Sequence, residues 1–319
     1  STRAMAAPAS LDGGFRCINK LKGHDKVISS LKFSPDGKYL ASASGDGTIR
    51  LWNPFEGKNL IKILDGAHTS GINDISWNDQ SRLLCSAGDD NNIVVWDIQK
   101  GVPARTLVGH SKHVFCVKFS RNPSNKIVSG DYDCEIRIWS STSGETLKRI
   151  PAHKKPITAV DFSPDGKYIV SSSFDGLCRI WDAETGSLLK TIGKNDNPPV
   201  ACVRFVPNGR FIVTSTLNSE VSLWDFKQHS CKRMFTGHKN TSYCTTVLIW
   251  RQKEEAMIVC GSEDGCVYVW NLKQSLIGKL EHSGKTDVVL AVDVHPAGYL
   301  AAGSLKDPAI KIWKKSKKP

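Results

Sequence analysis

Nowhere does the chain carry an apolar run approaching the roughly 18 residues that a membrane-spanning helix needs. Its opening, STRAMAAPAS, lacks the apolar core of about 7–15 residues found in secretory signals, so residues 1–14 are expected to be a flexible tail. No two of the ten cysteines are spaced C-x-x-C, and most lie in alternating apolar runs such as VFCVKF, VACVRF and GLCRIW. They read as small buried hydrophobes in a reducing compartment, without disulfides or a metal site. The sequon at Asn240-Thr241-Ser242 is accordingly expected to stay unmodified. G-x-S-x-G and H-E-x-x-H are both missing, and no nucleophile–base pairing stands out, so no catalytic residue, metal or cofactor is expected. HSGKT at 282–286 resembles the end of a phosphate-binding loop, but Gly278 and Gly284 have five residues between them where that loop has four. Acidic residues are the minority, 31 against 43 basic ones, and the net charge of +12 favours anionic partners. The excess is spread along the chain without interleaved aromatics, and the basic tail at 314–319 is short, so specific nucleic-acid binding is not expected.

What the sequence does contain is a repeat. Tryptophan recurs at 52, 96, 139, 181, 224, 270 and 313, in steps of 42 to 46 residues. Six positions before each stands Asp46, Asp90, Asp133, Asp175, Asn218, Asp264 or Asp307, and four before that Ser42, Ser86, Ser129, Ser171, Thr214, Cys260 or Gly303. A histidine opens most units, at 24, 68, 110, 153, 238 and 282. Within a unit, short alternating runs such as VISSLKFSP, YLASAS and TIRLWN are separated by DGK and GDG turns, followed by a weaker fourth run such as KNLIKIL. Seven such units predict an all-β fold, a seven-bladed WD-repeat β-propeller forming one domain over 15–313. The last unit lacks a fourth strand, which FRCINKL at 15–21 can supply, closing the ring and removing two free sheet edges.

The His, Ser/Thr, Asp and Trp of a unit can form one buried hydrogen-bond chain, so the repeat histidines are read as structural. The fifth unit has no histidine and has Asn218 for aspartate, so its network is expected to be reduced. The position near the start of each first strand should face the channel mouth. That column reads Ser29, Asn73, Phe115, Thr158, Ala201, Cys244 (after a local bulge) and Leu290. Phe115 is its lone aromatic and either plugs the hole or offers a ring to a ligand. With Phe174 and Tyr243 at or near the same rim and Asp89 left free beside the repeat residue Asp90, the mouth suits a cationic side chain.

SSSFDGLCRIWD, DNPPVACVRFVPNGRFI, GHKNTSYC and CGSEDGCVYVWNL resemble the WD-repeat protein five family, scaffolds of MLL/COMPASS-type histone-lysine methyltransferase complexes. The likeness runs from about residue 15 to 313 and includes non-repeat residues such as the Asn-Pro-Pro of the fifth unit. It implies a non-enzymatic adaptor that takes an arginine, from a methyltransferase subunit or a histone H3-like tail, between two phenylalanines at the channel mouth. Carried over by motif, Phe115 is the first of these rings and Asp89 holds the peptide. Phe174, Tyr243, Cys244, Ser29 and Asn73 form the rim and wall, and Gly45 stands where the family has alanine. The second ring is missing, because Thr246 follows YC at its place, and a weaker arginine pocket is expected.

The resemblance also implies a site on the opposite side for an acidic-hydrophobic peptide of another subunit, at Asn208, Phe211, Leu223, Arg233 and Lys273. A monomeric propeller inside a multi-subunit nuclear complex, present in the cytoplasm too, follows from this likeness. The alternative is a WD-repeat adaptor of a ubiquitin ligase or RNA-processing assembly.

Overall fold

The computed structural model describes residues 13–55, 59–121, 125–193, 197–228, 230–252 and 255–315. Nearly all of the tail expected at 1–14, and residues 316–319 of the basic tail, lie outside them. The described residues form seven four-stranded antiparallel sheets, six of them in simple sequential strand order. In the seventh, Phe15–Leu21 pairs with Ile310–Lys315, Phe15 opposite Lys315 and Leu21 opposite Ile310, and so closes the ring. The last strand thus runs to Lys315, two residues past Trp313, because the N-terminal strand gives those lysines a backbone partner.

The exposure of each strand follows its place in the blade. The second strand of the first blade, Leu40–Ser44, is buried throughout, with Ala and Ser allowing neighbouring sheets to approach. Outermost strands such as Val102–Leu107 are exposed at all but one residue, which explains their weaker alternation. The apolar clusters lie between blades. One joins Cys85, Ile93 and Val95 of the second blade to Val117, Phe119 and Trp139 of the third. A buried indole such as that of Trp96, 1% exposed, contributes roughly 5 kcal/mol of gross hydrophobic stabilisation. Six cysteines are buried in these faces and all ten are free thiols.

The repeat residues meet as their spacing suggests. Trp52 Nε1 donates to Ser42 Oγ (2.8 Å), Ser42 lies 2.7 Å from His24 Nε2, and His24 Nδ1 lies 2.7 Å from Asp46. One neutral tautomer satisfies the whole chain, and burial lowers the His24 pKa in its favour. The second and fourth blades repeat the set. The third blade departs from the sequence column. His110 Nδ1 meets Asp131 at 2.7 Å, while Asp133 accepts the Ser111 hydroxyl at 2.6 Å. Asp131 pairs with Val114 as Ser44 pairs with Ile28, so an aspartate there reaches the histidine first.

The fifth blade keeps a single 3.3 Å bond from Trp224 to Thr214. In the sixth, neither ring nitrogen of buried His238 has a partner, and Asp264 instead accepts Tyr268 Oη and Lys279 Nζ, each at 2.8 Å. In the seventh, cross-strand register puts Ala302 rather than Gly303 at the serine place, and His282 Nε2 bonds the Ala302 carbonyl. Asn240 of the sequon is fully buried, and its main chain is bonded to Ser219.

Candidate functional site

One backbone ladder builds the mouth of the channel. In six blades the residue preceding the inner strand accepts a hydrogen bond from the turn between the second and third strands. The donors are Gly45, Asp89, Tyr132, Phe174, Leu217 and Leu305, at 2.9 to 3.1 Å. This contact fixes their Cα positions around the rim, and their side chains give it its chemistry. The sixth blade differs: Glu263 donates its N–H to Lys239 O, and its carboxylate accepts the N–H groups of Thr241, Ser242 and Tyr243. That anchors the loop presenting Tyr243, which is 41% exposed.

Inside this rim lies the predicted column. Ser29 Oγ donates to Ile72 O, Asn73 Nδ2 to Val114 O and Thr158 Oγ1 to Val200 O, each tying one blade to the next. Phe115 has no such donor. It leaves the Ile157 carbonyl without the side-chain hydrogen bond its counterparts receive, and presents a half-exposed ring instead. The Tyr132 ring stands 5.9 Å away, tilted by 52°, and is 51% exposed. Sequence reading missed Tyr132. It is the rim counterpart of Asp89 and Phe174, and aligning the turns would have found it.

A polar corner adjoins the two rings. Asp89 Oδ1 accepts Asn73 Nδ2 at 2.7 Å, and the Asp89 carbonyl meets His113 Nδ1, also at 2.7 Å. The His113 carbonyl in turn holds the Tyr132 N–H, so acid and ring share one brace. Gly71 and Gly45 keep the approach to Asp89 open. A Cβ at Gly71 would stand 3.5 Å from the Asp89 carboxylate and 3.3 Å from Gly45 Cα.

Phe174 is half-buried, its N–H bonded to Pro156 O. Cys244 is exposed at the wall. Thr245, next to it, is fully buried. Val247 pairs with Cys260 as Val117 pairs with Ser129, which sets Thr246 level with Cys116. Thr246 is half-buried, donates its N–H to Leu290 O, and lies one residue farther along the channel than Phe115.

Residues of the second expected site lie between the fifth and sixth blades. Phe211 is half-buried under the Arg210 guanidinium, 5.1 Å from its ring centre, and Arg210 also pairs with Asp225 at 3.0 Å. Asn208 is exposed and caps the Arg210 N–H. Gln274 Nε2 donates to Met234 O at 2.6 Å, which brings exposed Arg233 and Lys273 to facing lips. Leu223 is only 6% exposed and sits in the core cluster, because its strand faces the next blade. Partly exposed apolar surface comes instead from Phe211, Trp224, Ile249, Leu272 and Leu276.

Among the described residues, the one grouping with metal-ligand spacing is His110, Asp131 and Glu135. Both His110 nitrogens are engaged, and Glu135 pairs with Arg137 and Arg149.

Over residues 20–314 the chain matches the family described as the WDR5 beta-propeller domain. It is 31% identical over 155 residues to the COMPASS component SWD3 of Saccharomyces cerevisiae, covering 46% of this chain and 48% of that protein. Identity to the pre-mRNA-splicing factor cwf17 of Schizosaccharomyces pombe is 30% over 147 residues, or 46% and 43% of the two chains. To the nuclear distribution protein nudF of Emericella nidulans it is 30% over 173 residues, or 48% and 38%. These matches span less than half the length of each relative.

Proposed function

We propose, from the premise that this chain belongs to the WDR5 beta-propeller domain family, that it is a non-enzymatic scaffold of a nuclear histone H3 methyltransferase complex. It takes an arginine-containing peptide, from a methyltransferase subunit or a histone H3 tail, at the channel mouth. The observation that carries this reading is the Phe115–Tyr132 pair beside the Asn73–Asp89 corner. A guanidinium over the Phe115 face gains about 0.5–2 kcal/mol, more as the mouth closes and water leaves. In this reading the Ile157 carbonyl accepts its N–H groups, and Asp89 holds the peptide's amino end. Tyr132 supplies the second ring, whose place in the motif Thr246 leaves empty.

On the opposite side, Arg233 and Lys273 flank the apolar strip around Phe211, and their charge suits an acidic-hydrophobic peptide of another subunit. The match to a COMPASS component supports the chromatin reading, while the match to a splicing factor favours an RNA-processing adaptor as the second one. Affinity purification of the chain from nuclear extract, with mass spectrometry of its partners, separates the two. Methyltransferase subunits are expected. Recovery of spliceosomal proteins alone would replace the first reading by the second.

A further inference from the structure

Three residues along the inner strands from the aromatic rim, the channel changes character. A cavity of about 510 Å3 opens toward the face of the inner-to-second-strand turns, where Pro35, Pro207 and Pro296 stand at its edge. Five cationic side chains line it against three carboxylates. Two of those carboxylates are already engaged: Asp161 accepts the Phe205 N–H at 2.9 Å and Asp293 the Phe33 N–H at 2.6 Å, each tying neighbouring blades. Asp74, behind the wall, accepts Ser30 Oγ and the Val117 N–H and stands 3.8 Å from Lys118 Nζ.

Lys118 is 7% exposed, yet among the described residues neither its ammonium nor the Arg204 guanidinium has a protein acceptor within hydrogen-bonding distance. Burial and the neighbouring Arg204 charge push the Lys118 ammonium down to about 8, as expected where positive charge exceeds negative. A buried ammonium whose nearest carboxylate stands 3.8 Å away, in a lining where cations outnumber carboxylates, is costly unless something outside the chain adds negative charge.

We propose that this end of the channel is a seat for a small phosphate-bearing anion, held by Lys118 and Arg204 with Lys32 beside them. A cavity of this size, edged by prolines, admits one or two phosphate groups rather than a nucleic-acid strand. Even with Asp74 counted beside the three lining carboxylates, the five cations leave a positive excess that favours an anion. The seat is separate from the arginine site and does not depend on it.

Titration calorimetry of the full chain with pyrophosphate, in low-salt buffer free of other phosphate, tests the seat. One saturable site is expected, with sodium chloride at matched ionic strength producing none. Arg204→Met should raise Kd at least about tenfold, since it removes a charge-assisted contact. Lys118→Met strands Asp74 and risks unfolding, so Arg121→Met, at an exposed position of the lining, serves as the second variant, with a smaller loss. Binding of an arginine peptide to Arg204→Met should stay unchanged. Absence of saturable pyrophosphate binding, or full binding by folded Arg204→Met, overturns the proposal.

Discussion

Tyr132 lies 5.9 Å from Phe115, ring centre to ring centre, although the two are 17 positions apart in the chain. The turn that presents Tyr132 is bonded to the His113 carbonyl two residues before Phe115, so the pair is fixed by the main chain. Asp89 is braced by the same histidine at 2.7 Å. Two rings and an acid therefore share one anchor at the mouth.

Tyr132→Ala is expected to weaken binding of an arginine-containing peptide about three- to tenfold, the loss of one ring contact of ~1 kcal/mol. Tyr132→Phe should retain it, because the ring and not the hydroxyl faces the ligand. Fluorescence anisotropy with a labelled peptide measures both. Equal affinities for the alanine and wild-type chains would return the second-ring role to another residue.

Asp131→Ala should cost about 2–3 kcal/mol in urea unfolding, since it leaves the buried His110 N–H without an acceptor. Asp133→Ala, which removes only an exposed bond to Ser111, should cost under about 1 kcal/mol. The reverse order would restore Asp133 to the hydrogen-bond chain.

These two residues mark where the sequence stops being legible. Trp, Asp, Ser and His recur at fixed offsets, and geometry repeats with them, so blade number, ring closure and the thinning of the fifth blade's network all follow from spacing. Asp131 does not, because a strand residue two places before the usual aspartate reaches the histidine first. Cys244 precedes the inner strand of its blade, which begins at Val247, so neither spacing nor cross-strand pairing sets its level. Leu223 shares the apolar phase of its strand with Val221, in alternation with Glu220 and Ser222, and both are buried in the cluster between blades.

Stability should fall in two stages on acidification. Burial holds His238 and His282 down at about 4, against an ordinary 6.5. The unfolded chain therefore takes up these protons first, and stability present above pH 6.5 is lost as pH falls toward 4. Each contributes up to about 3 kcal/mol. At Asp46 and Asp175 burial alone would raise the pKa, but hydrogen bonds from Thr48 and His24, and from His153, outweigh it and hold both at about 2. Their contribution is present above 3.8 and is lost as pH falls toward 2. Urea midpoints across pH 7.5 to 2 check this. In His238→Phe the first decline should shrink, and a midpoint unchanged between pH 7 and 4.5 contradicts the assignment.

At the opposite site, Arg233→Glu should abolish binding of an acidic-hydrophobic peptide and leave the unfolding midpoint unchanged, because Arg233 is exposed. Leu223→Lys should instead lower the midpoint, since it buries a charge at a position 6% exposed. Peptide affinity and urea unfolding measured on both variants separate binding from folding. Unaltered binding by Arg233→Glu would remove that lip from the site.

The most direct test is calorimetric titration of an Ala-Arg-containing peptide into the wild-type chain and Phe115→Ala. Saturable binding that weakens at least about tenfold on loss of the ring is the predicted result. Wild-type and variant curves that coincide, with both chains folded, would contradict arginine docking at the channel mouth.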